Sequence, residues 1–429
     1  MPIRLDRADA DFEERFLRLL DRRQTQADIA ASVAEIIAAV RRDGDAALVA
    51  FTKQFDRHDA APDRLAVSET ELDEAEASVS AEAMAALGFA KKRIEDHHRR
   101  QLPKDDRYTD ATGVVLGSRW TPIGSVGIYV PGGTAAYPSS VLMNAVPAKI
   151  AGVGRIVMTV PSPDGVINPL VFAAARLAGV NEIYRVGGAQ AVAALAFGTA
   201  TVQPVDKIVG PGNAYVAEAK RQVFGVVGID SLAGPSEVLV IADRGANPDW
   251  IAADLLAQAE HDVLAQPILI TNSDAIADAV EESVADQLDT LPRALIAGGS
   301  WRDRGVIIVV RSLDEAAEIA NRIAAEHVEL QVAEPDALAE RVVNAGAIFI
   351  GPYTPEAIGD YVGGSNHVLP TAGAARFSSG LSVLDFVKRT SILRCGPDQL
   401  RLLGPAAMTL AEAEGLDAHA RSVAIRLNL

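Results

Sequence analysis

Apolar side chains recur every three or four residues in the first part of the chain, a spacing that places them on one face of a helix. They are Phe12, Phe16, Leu20, Val33, Ile36, Ile37 and Val40. Ser68 and Glu71 have the spacing of a capping box, in which two residues satisfy each other's backbone N–H at a helix start. Residues 11–100 are therefore predicted to be mostly helical, and residues 101–120 to form a polar connection.

Short β-branched runs alternate with helical periodicity in the middle of the chain. The predicted strands are residues 126–130, 155–160, 182–186, 207–209 and 236–242. The predicted helices between them are residues 139–151, 167–178, 189–197 and 213–224. Strands that alternate with helices of about ten to fifteen residues are typical of βαβ units, so the pattern predicts a mainly parallel sheet.

A second alternation follows and predicts another α/β sheet of similar size. Its predicted strands are residues 267–271, 305–310, 328–332 and 347–350. Its predicted helices are residues 249–261, 273–287, 313–325 and 335–343. Residues 351–394 are rich in Gly, Ser and Pro and end the alternation, and residues 397–429 are predicted to form one or two helices and a final strand.

Composition narrows the class of protein. The 429 residues are enough for two or three domains, and no apolar run approaches the roughly 18 residues of a membrane span. The first residues turn acidic without an apolar core, so no signal peptide is predicted. Cys395 is the only cysteine, which excludes an intrachain disulfide framework and favours a cytoplasmic protein. The net charge of −17 argues against nucleic acid and anionic membranes as partners.

Four of the seven histidines lie beside polar or acidic residues at element ends or in loops, namely His261, His327, His367 and His419. Histidine is a common zinc ligand and the usual proton carrier near neutral pH. Gln258 lies three residues before His261, so the two share a helix face, and an amide oxygen and an imidazole can reach one zinc ion. By itself the pair is more typical of a histidine that caps a helix.

Glu326 and His327 are adjacent at the start of a predicted strand. A carboxylate and an imidazole can divide the work of two proton transfers. Neighbours on a strand point to opposite faces, so these two side chains are not expected to hydrogen-bond to each other. By themselves they fit an ordinary polar cap at the end of a helix.

Two further segments carry candidate ligands. Residues 359–370 form a glycine-rich loop with Asp360 and His367, and such a loop lets the backbone approach a ligand closely. Residues 412–419 are an acidic segment that ends in His419. Taken alone, the loop fits a structural crossover and the acidic segment fits a solvated helix. Spacing along the chain does not show that these residues converge on one ion.

The common dinucleotide fingerprint, G-x-G-x-x-G after a strand, does not occur in a suitable place. Two other strand–glycine–helix turns occur instead, at residues 186–188 and 209–212. Each can direct the N-terminus of a helix at a pyrophosphate, because the first N–H groups of a helix are unpaired. A glycine turn before a helix is common, so neither identifies a cofactor by itself.

Taken together, these motifs resemble histidinol dehydrogenases. The matching strings are YVPGGTAAYPSSVLMN at residues 129–144, GGAQA at 187–191, GPGN at 210–213, AGPSE at 233–237, QAEH at 258–261, EH at 326–327 and NHVLPT at 366–371. They run in order over nearly the whole chain. Chance is a poor explanation for motifs of this length.

The resemblance implies a role for each matching position. The ligands of one Zn²⁺ per subunit would be Gln258, His261, Asp360 and His419. The proton-transfer residues would be Glu326 and His327. The residues that contact NAD would be Tyr129, Gln190 and Asn213. The substrate-binding residues would be Ser236, Gln258, His261, His327, Asp360, Glu414 and His419.

The resemblance also implies an α/β fold with two incomplete Rossmann-like parallel-sheet domains and small helical N-terminal and C-terminal extensions. The implied parts are an N-terminal helical arm (1–22), a first domain with the metal and catalytic residues (23–128 plus 237–380), a second domain for NAD (129–236) and a tail (381–429). Members of this family are homodimers in which the tail crosses to the partner subunit. Glu414 and His419 would therefore complete the partner's site.

The implied reaction converts L-histidinol to L-histidine through L-histidinaldehyde with two NAD⁺ (EC 1.1.1.23), the last steps of histidine biosynthesis. Zinc would hold the imidazole and amine of the substrate rather than activate water. His327 would accept the alcohol proton, and Glu326 would activate the water that hydrates the aldehyde. No cysteine is well placed for a thiohemiacetal, which agrees with hydration.

Three other interpretations remain open from the sequence. A paralogue could oxidise another small alcohol, but an anionic substrate would call for Arg or Lys in place of Glu414 and His419. A zinc hydrolase would need a zinc-bound water and no nicotinamide. A zinc-binding scaffold would have no need for the adjacent pair Glu326 and His327.

Overall fold

The computed structural model describes residues 2–24, 29–132, 136–232 and 234–429, without the side chains of 22–24. Four residues of the matched motifs lie outside the described residues, as do residues 25–28 of the predicted helical region. The four are Gly133, Thr134, Ala135 and Ala233. None of the described helices is both long enough and apolar enough to cross a membrane.

The larger sheet has six parallel strands. They are β1 (Ile3–Asp6), β9 (Glu237–Ala242), β10 (Gln266–Thr271), β11 (Val306–Val309), β12 (His327–Gln331) and β13 (Ala347–Ile350). Their order across the sheet is β1-β11-β10-β9-β12-β13. Strands β9, β10 and β11 are buried along their whole length, because apolar clusters cover both faces of the sheet. From β9 the chain passes outward through β10 and β11, and then returns to the other side of β9 to form β12 and β13. The switch point therefore lies between β9 and β12.

The second sheet has five parallel strands. They are β4 (Ser125–Tyr129), β5 (Arg155–Thr159), β6 (Glu182–Tyr184), β7 (Lys207–Val209) and β8 (Gly228–Ile229). Their order is β6-β5-β4-β7-β8, so the switch point lies between β4 and β7. The predicted α/β fold class with two parallel sheets is confirmed.

Seventeen helices accompany the sheets within the described residues. They are α1 (Phe12–Gln24), α2 (Ala30–Asp43), α3 (Asp45–Asp56), α4 (Glu69–Ser78), α5 (Ala81–His98), α6 (Pro138–Ala151), α7 (Pro169–Ala178), α8 (Gly188–Phe197), α9 (Ala214–Val223), α10 (Pro248–Ala259), α11 (Asp274–Leu288), α12 (Ala294–Arg304), α13 (Leu313–Ile323), α14 (Pro335–Ala339), α15 (Glu356–Tyr361), α16 (Pro397–Ala413) and α17 (Asp417–Leu427). The predicted capping box is present, since Ser68 Oγ accepts from the N–H of Glu71 and the Glu71 carboxylate accepts from the N–H of Ser68. Helices α12 and α15 are missing from the prediction.

The sheets cut across the predicted domain limits at two places. Ile3–Asp6, predicted as part of a helical arm, is an edge strand that pairs with β11. The predicted boundary between residues 128 and 129 falls within strand β4, which pairs as a whole with the five-stranded sheet through β5 and β7. Helices α2 to α5, predicted in the same domain as the six-stranded sheet, pack on helices of the five-stranded sheet. The assignment of the domains to metal and NAD stays a prediction.

A third, antiparallel sheet contains β2 (Asp106–Thr109), β3 (Val115–Pro122) and β14 (Val387–Arg394) in the order β14-β3-β2. The prediction assigned these residues to a polar connection and a glycine-rich segment. They were missed because their side chains are mostly exposed or half-buried, so the chain shows no clear apolar alternation there. The predicted final strand is wrong, since α16 and α17 pack against each other and the chain ends just after α17.

Candidate active site

A cavity of about 940 Å³ lies between the two parallel sheets. The six-stranded sheet contributes the amino ends of β9 and β12, and the five-stranded sheet contributes the loops that follow β4 and β7. The carboxyl edge of a parallel sheet at its switch point is the usual place for a ligand. Here that edge faces the amino edge of the other sheet, where the titratable side chains lie.

The backbone of Glu237, the first residue of β9, holds both members of the adjacent pair. Its N–H donates to Glu326 Oε2 at 3.0 Å, and its carbonyl oxygen accepts from His327 Nδ1 at 3.0 Å. His327 Nδ1 lies 3.8 Å from Glu326 Oε2, beyond hydrogen-bonding distance. The expectation that these neighbours do not bond to each other is confirmed. A neighbouring strand orients them both.

The contact with a carbonyl oxygen fixes the tautomer of His327. Because Nδ1 must carry the proton, Nε2 has a free lone pair. Nε2 is buried and has no hydrogen-bond partner among the described residues. Burial lowers the pKa of His327 to about 3, so the ring is neutral near pH 7. A neutral imidazole with an unpaired nitrogen beside a cavity can accept a proton or bind a cation.

Three of the predicted zinc ligands line the same cavity, namely Gln258, His261 and Asp360. Asp360 Oδ1 lies 3.9 Å from His327 Nε2 and 3.8 Å from His367 Nδ1. Helix α10 ends beside Gln258, and the short helix α15 carries Asp360. The three separate segments thus meet at one cavity, and the assignment of these residues as zinc ligands stays a prediction.

Glu356 belongs to the site and was missed from the sequence. Its carboxylate accepts from the amide nitrogen of Gln258 at 2.7 and 3.3 Å and lies 3.5 Å from His327 Nδ1. His327, Glu356 and Asp360 bring their ligand atoms within 4.8 Å of one another. Glu356 precedes Asp360 by four residues, which places both on one face of α15. The four-residue spacing between Glu356 and Asp360 is the only signal in the sequence that could have identified Glu356.

Without a bound cation, ionising the buried carboxyl groups of the site is unfavourable in free energy. Burial raises the pKa of Glu326 and of Glu356, and burial raises the pKa of Asp360 to about 7. Repulsion between the carboxyl groups adds to the shift of Glu356. The donor set of amide oxygen, imidazole and carboxylate, with a buried unpaired imidazole nitrogen beside it, fits zinc. A divalent cation would offset the buried negative charge.

The predicted NAD residues lie at the carboxyl edge of the five-stranded sheet. Tyr129 ends β4, and its buried hydroxyl accepts from the N–H of Gly188 at 3.0 Å. Gln190 is buried in the first turn of α8. Asn213 caps α9 through a 3.2 Å bond from the N–H of Val216 and lines the cavity. Asn213 thus faces the cavity, while Tyr129 and Gln190 support the glycine turn beneath it.

The remaining predicted residues divide into two groups. Ser236 lines the cavity, and its side chain hydrogen-bonds to Glu326. Glu414 and His419 are exposed on the C-terminal helices and do not line the cavity of their own chain. Cys395 is exposed and likewise does not line this cavity.

Known proteins resemble this chain over nearly its whole length. The family model for histidinol dehydrogenase matches residues 20–427. The chain belongs to the histidinol dehydrogenase family. It is 65% identical to the histidinol dehydrogenase of Brucella abortus (strain 2308) over 426 residues, with 99% of each chain covered. It is 67% identical to that of Nitrobacter winogradskyi over 429 residues, with both chains fully covered.

The solved structures agree. A crystal structure of histidinol dehydrogenase from Elizabethkingia anophelis superposes with a TM-score of 0.94 at 36% identity and covers 100% of this chain and 98% of that one. The resemblance seen in the motifs and the predicted enzyme class, an NAD-dependent oxidoreductase acting on CH–OH (EC 1.1.1.23), are confirmed. The histidinol dehydrogenase from Elizabethkingia anophelis therefore has the same fold as this chain.

Proposed function

We propose that this enzyme oxidises L-histidinol to L-histidine through L-histidinaldehyde with two NAD⁺, with one Zn²⁺ per subunit. The observation that carries the proposal is the cavity itself. The buried, neutral His327 and the adjacent Glu326 lie beside the ligand cluster of Gln258, His261 and Asp360. These groups face the glycine turns of the other sheet.

Zinc would be held by Gln258, His261 and Asp360, with His419 of a partner subunit as the fourth ligand. When bound, the metal supplies a Lewis acid that orients the amine and imidazole of histidinol. The fit is supported by the buried carboxyl cluster and by the unpaired Nε2 of His327. Ser236, His327 and Glu414 would complete the contacts to the substrate.

His327 acts as the base in both oxidations. Its free Nε2 takes the hydroxyl proton of histidinol as the carbon–hydrogen bond breaks and the hydride passes to NAD⁺, which leaves the aldehyde. The Glu237 carbonyl holds Nδ1–H and so prevents the ring from turning its protonated nitrogen toward the substrate.

Glu326 acts between the two oxidations. Burial raises the pKa of Glu326, and a carboxylate with a raised pKa is a stronger base. The carboxylate takes a proton from water as the water oxygen bonds to the aldehyde carbon, and protonated His327 returns its proton to the aldehyde oxygen, which gives the hydrate and leaves Nε2 free again. A second hydride then leaves the hydrate to a second NAD⁺, His327 takes the hydroxyl proton, and the carboxylic acid results.

The subunits would pair as a homodimer with exchanged tails. Glu414 and His419 are exposed in the single chain, and several large apolar side chains of the same helices are exposed with them. These are Leu402, Leu403, Leu410 and Ile425. Apolar surface of this kind favours association with another chain. The single reduced cysteine and the biosynthetic family agree with a cytoplasmic location.

The test is to add L-histidinol and NAD⁺ to zinc-loaded protein and to count NADH per substrate consumed. We expect about two NADH per histidinol, with loss of activity on adding a chelator and recovery on adding zinc. One NADH would mean that oxidation stops at the aldehyde. No NADH from histidinol, with turnover of another alcohol, would assign the protein to a paralogous activity.

The division of labour is tested by separate variants. Glu326→Gln is expected to lower oxidation of added histidinaldehyde by about 10²- to 10⁴-fold and to spare the first oxidation, because only hydration needs that base. His327→Asn is expected to impair both oxidations. Equal losses of alcohol and aldehyde oxidation in Glu326→Gln would contradict the assignment.

A further inference from the structure

A layer of three buried carboxyl groups lies behind the proposed metal ligands; none acts in the proposed proton transfers, and Glu356 also lines the cavity. Asp254, Glu329 and Glu356 form it, and Glu329 and Glu356 are only 1% and 3% exposed. Burial raises the pKa of all three, and repulsion among them adds to the shift for Glu329 and Glu356. Such groups are unfavourable in a protein interior unless specific partners hold them.

Each member of this carboxyl layer shares an element and a face with a residue of the site. The pairs are Asp254 and Gln258 on α10, Glu329 and His327 on β12, and Glu356 and Asp360 on α15. Residues four apart on a helix, or two apart on a strand, point the same way. The carboxyl layer therefore lies on the same three elements as the site, next to the site residues on each of them.

Hydrogen bonds join the three elements within this layer. Glu329 Oε1 accepts from the N–H of Glu356 at 2.7 Å, which fixes the first residue of α15 against β12. Gln331 Nε2 donates to Glu329 Oε2 at 3.1 Å and to Asp254 Oδ2 at 2.7 Å, which joins β12 to α10. Gln331 thus bridges the carboxylates of Asp254 and Glu329.

We propose that Glu329 is a positioning residue that sets the metal ligands Gln258 and Asp360 by holding the start of α15 against β12. The bond from the N–H of Glu356 places that residue's carboxylate on the amide nitrogen of Gln258, so the amide oxygen points away from the carboxylate. Asp360 lies one turn further along α15, so the same hydrogen bond also fixes the position of Asp360. Partners behind the ligands orient metal sites in this way.

This inference rests on the proposed zinc site, and its test measures zinc affinity directly. Purified protein is stripped of metal and titrated with zinc against a chromophoric chelator, without substrate or NAD⁺. Glu329→Leu keeps a similar volume but removes the acceptor for the N–H of Glu356. We expect zinc affinity to fall roughly 10- to 100-fold, with the KM for NAD⁺ unchanged.

Two further variants separate positioning from general damage. Glu329→Gln retains an oxygen for the N–H of Glu356 and loses only the bond accepted from Gln331, so it is expected to bind zinc within about threefold of the parent. Asn321→Ala removes side-chain bonds to the backbone of residues 341–344 in the same half of the protein, away from the site. It is expected to leave zinc affinity unchanged.

The outcomes distinguish this inference from the proposed function. If the parent binds no zinc, the proposed metal site fails. If the parent binds zinc and Glu329→Leu binds it equally well, or if Glu329→Gln is as weak as Glu329→Leu, the positioning role is wrong. Should Glu329→Leu not fold, Asp254→Ala replaces it, since alanine suits the helix. We then expect at least a threefold loss of zinc affinity, and no loss would contradict the role.

Discussion

The chemistry of single residues here is set by neighbours that are distant in sequence. His327 is neutral because it is buried, and its free nitrogen is defined by the carbonyl oxygen of Glu237. Tyr129 gives a second example, since its hydroxyl satisfies the N–H of Gly188 under the turn that starts α8. In each case the partner is a backbone group of a residue that is distant along the chain.

Tyr129→Phe removes that acceptor and leaves the N–H of Gly188 unpaired. We expect the free energy of unfolding to fall by about 1–3 kcal/mol. The KM for NAD⁺ is expected to rise while the KM for histidinol stays the same, because the glycine turn lies on the proposed cofactor side. Steady-state kinetics and urea denaturation measure the two effects.

Tyr184→Phe is the matched control for this change. The Tyr184 hydroxyl donates to Glu182 at 2.9 Å within the same sheet, and Tyr184 does not line the cavity. It is expected to leave both KM values unchanged. A rise in the KM for NAD⁺ of similar size in both variants would show that the Tyr129 hydroxyl has no specific role.

His98 gives a prediction about pH. Its Nδ1 bonds to the carbonyl oxygen of Ile94 at 2.8 Å, and its Nε2 accepts from Asn366 at 3.3 Å. Burial lowers the pKa of His98 below its ordinary value of 6.5. The unfolded chain therefore binds a proton first as the pH falls. Stability from this residue is complete above about pH 6.5 and is lost as the pH falls toward the lowered pKa.

We expect His98→Gln to weaken the loss of stability between pH 7 and pH 5, because an amide supplies a donor and an acceptor without titrating. His97→Gln on the exposed side of the same helix is the control and should match the parent. Thermal unfolding across this pH range measures the effect. An unchanged pH dependence in His98→Gln would contradict the role of this imidazole.

At the scale of elements, the loop after β7 is shaped by a close approach of two backbones. Gly210 has a φ of +105°, and a Cβ there would lie 2.2 Å from the carbonyl oxygen of Tyr129. The buried pair Lys220 and Asp230 holds this glycine, since Lys220 donates to its carbonyl oxygen and Asp230 accepts from its N–H. Only glycine fits this junction of β4 and β7.

Gly210→Ala tests the junction. Gly225 has nearly the same φ, +101°, but no atom lies within 4 Å of a Cβ placed there. Gly225→Ala therefore has the conformational strain without the clash. We expect Gly210→Ala to lower the free energy of unfolding by about 1–3 kcal/mol more than Gly225→Ala, and to weaken NAD⁺ binding. Equal losses in denaturant unfolding would show that the close approach is unimportant.

At the scale of the whole molecule, the proposed zinc site would take its ligands from two subunits. Gln258, His261 and Asp360 line the cavity, whereas Glu414 and His419 are exposed outside it. In the proposed homodimer, His419 of the partner subunit would be the fourth zinc ligand. A homodimer with exchanged tails would supply it by symmetry.

Complementation tests the exchange. His327→Asn and His419→Ala are each expected to be inactive. Unfolded together and refolded as a mixture, they would form heterodimers in which one site has an intact core and an intact tail. We expect roughly a quarter of the parent activity, since about half of the dimers are mixed and each has one good site. No recovery, with mixed dimers present, would mean that each tail serves its own subunit.

The sequence by itself determined the elements with strong local signals. The buried strands of both parallel sheets read as β-branched runs, and the capping box at Ser68 and Glu71 is local by nature. The antiparallel sheet was not predicted because its strands are largely exposed and show no clear apolar alternation. Helix α12 was not predicted because its polar and apolar residues do not fall on separate faces of the helix.

Only the tertiary structure decided how the candidate residues meet. The sequence named Gln258, Glu326, His327 and Asp360 from the motifs, but no periodicity links them to each other. Glu356 contacts Gln258 across nearly a hundred residues, and the backbone of Glu237 orients the Glu326–His327 pair. Such contacts depend on which strands become neighbours. That order is set by packing of the whole chain, which leaves no local trace in the sequence.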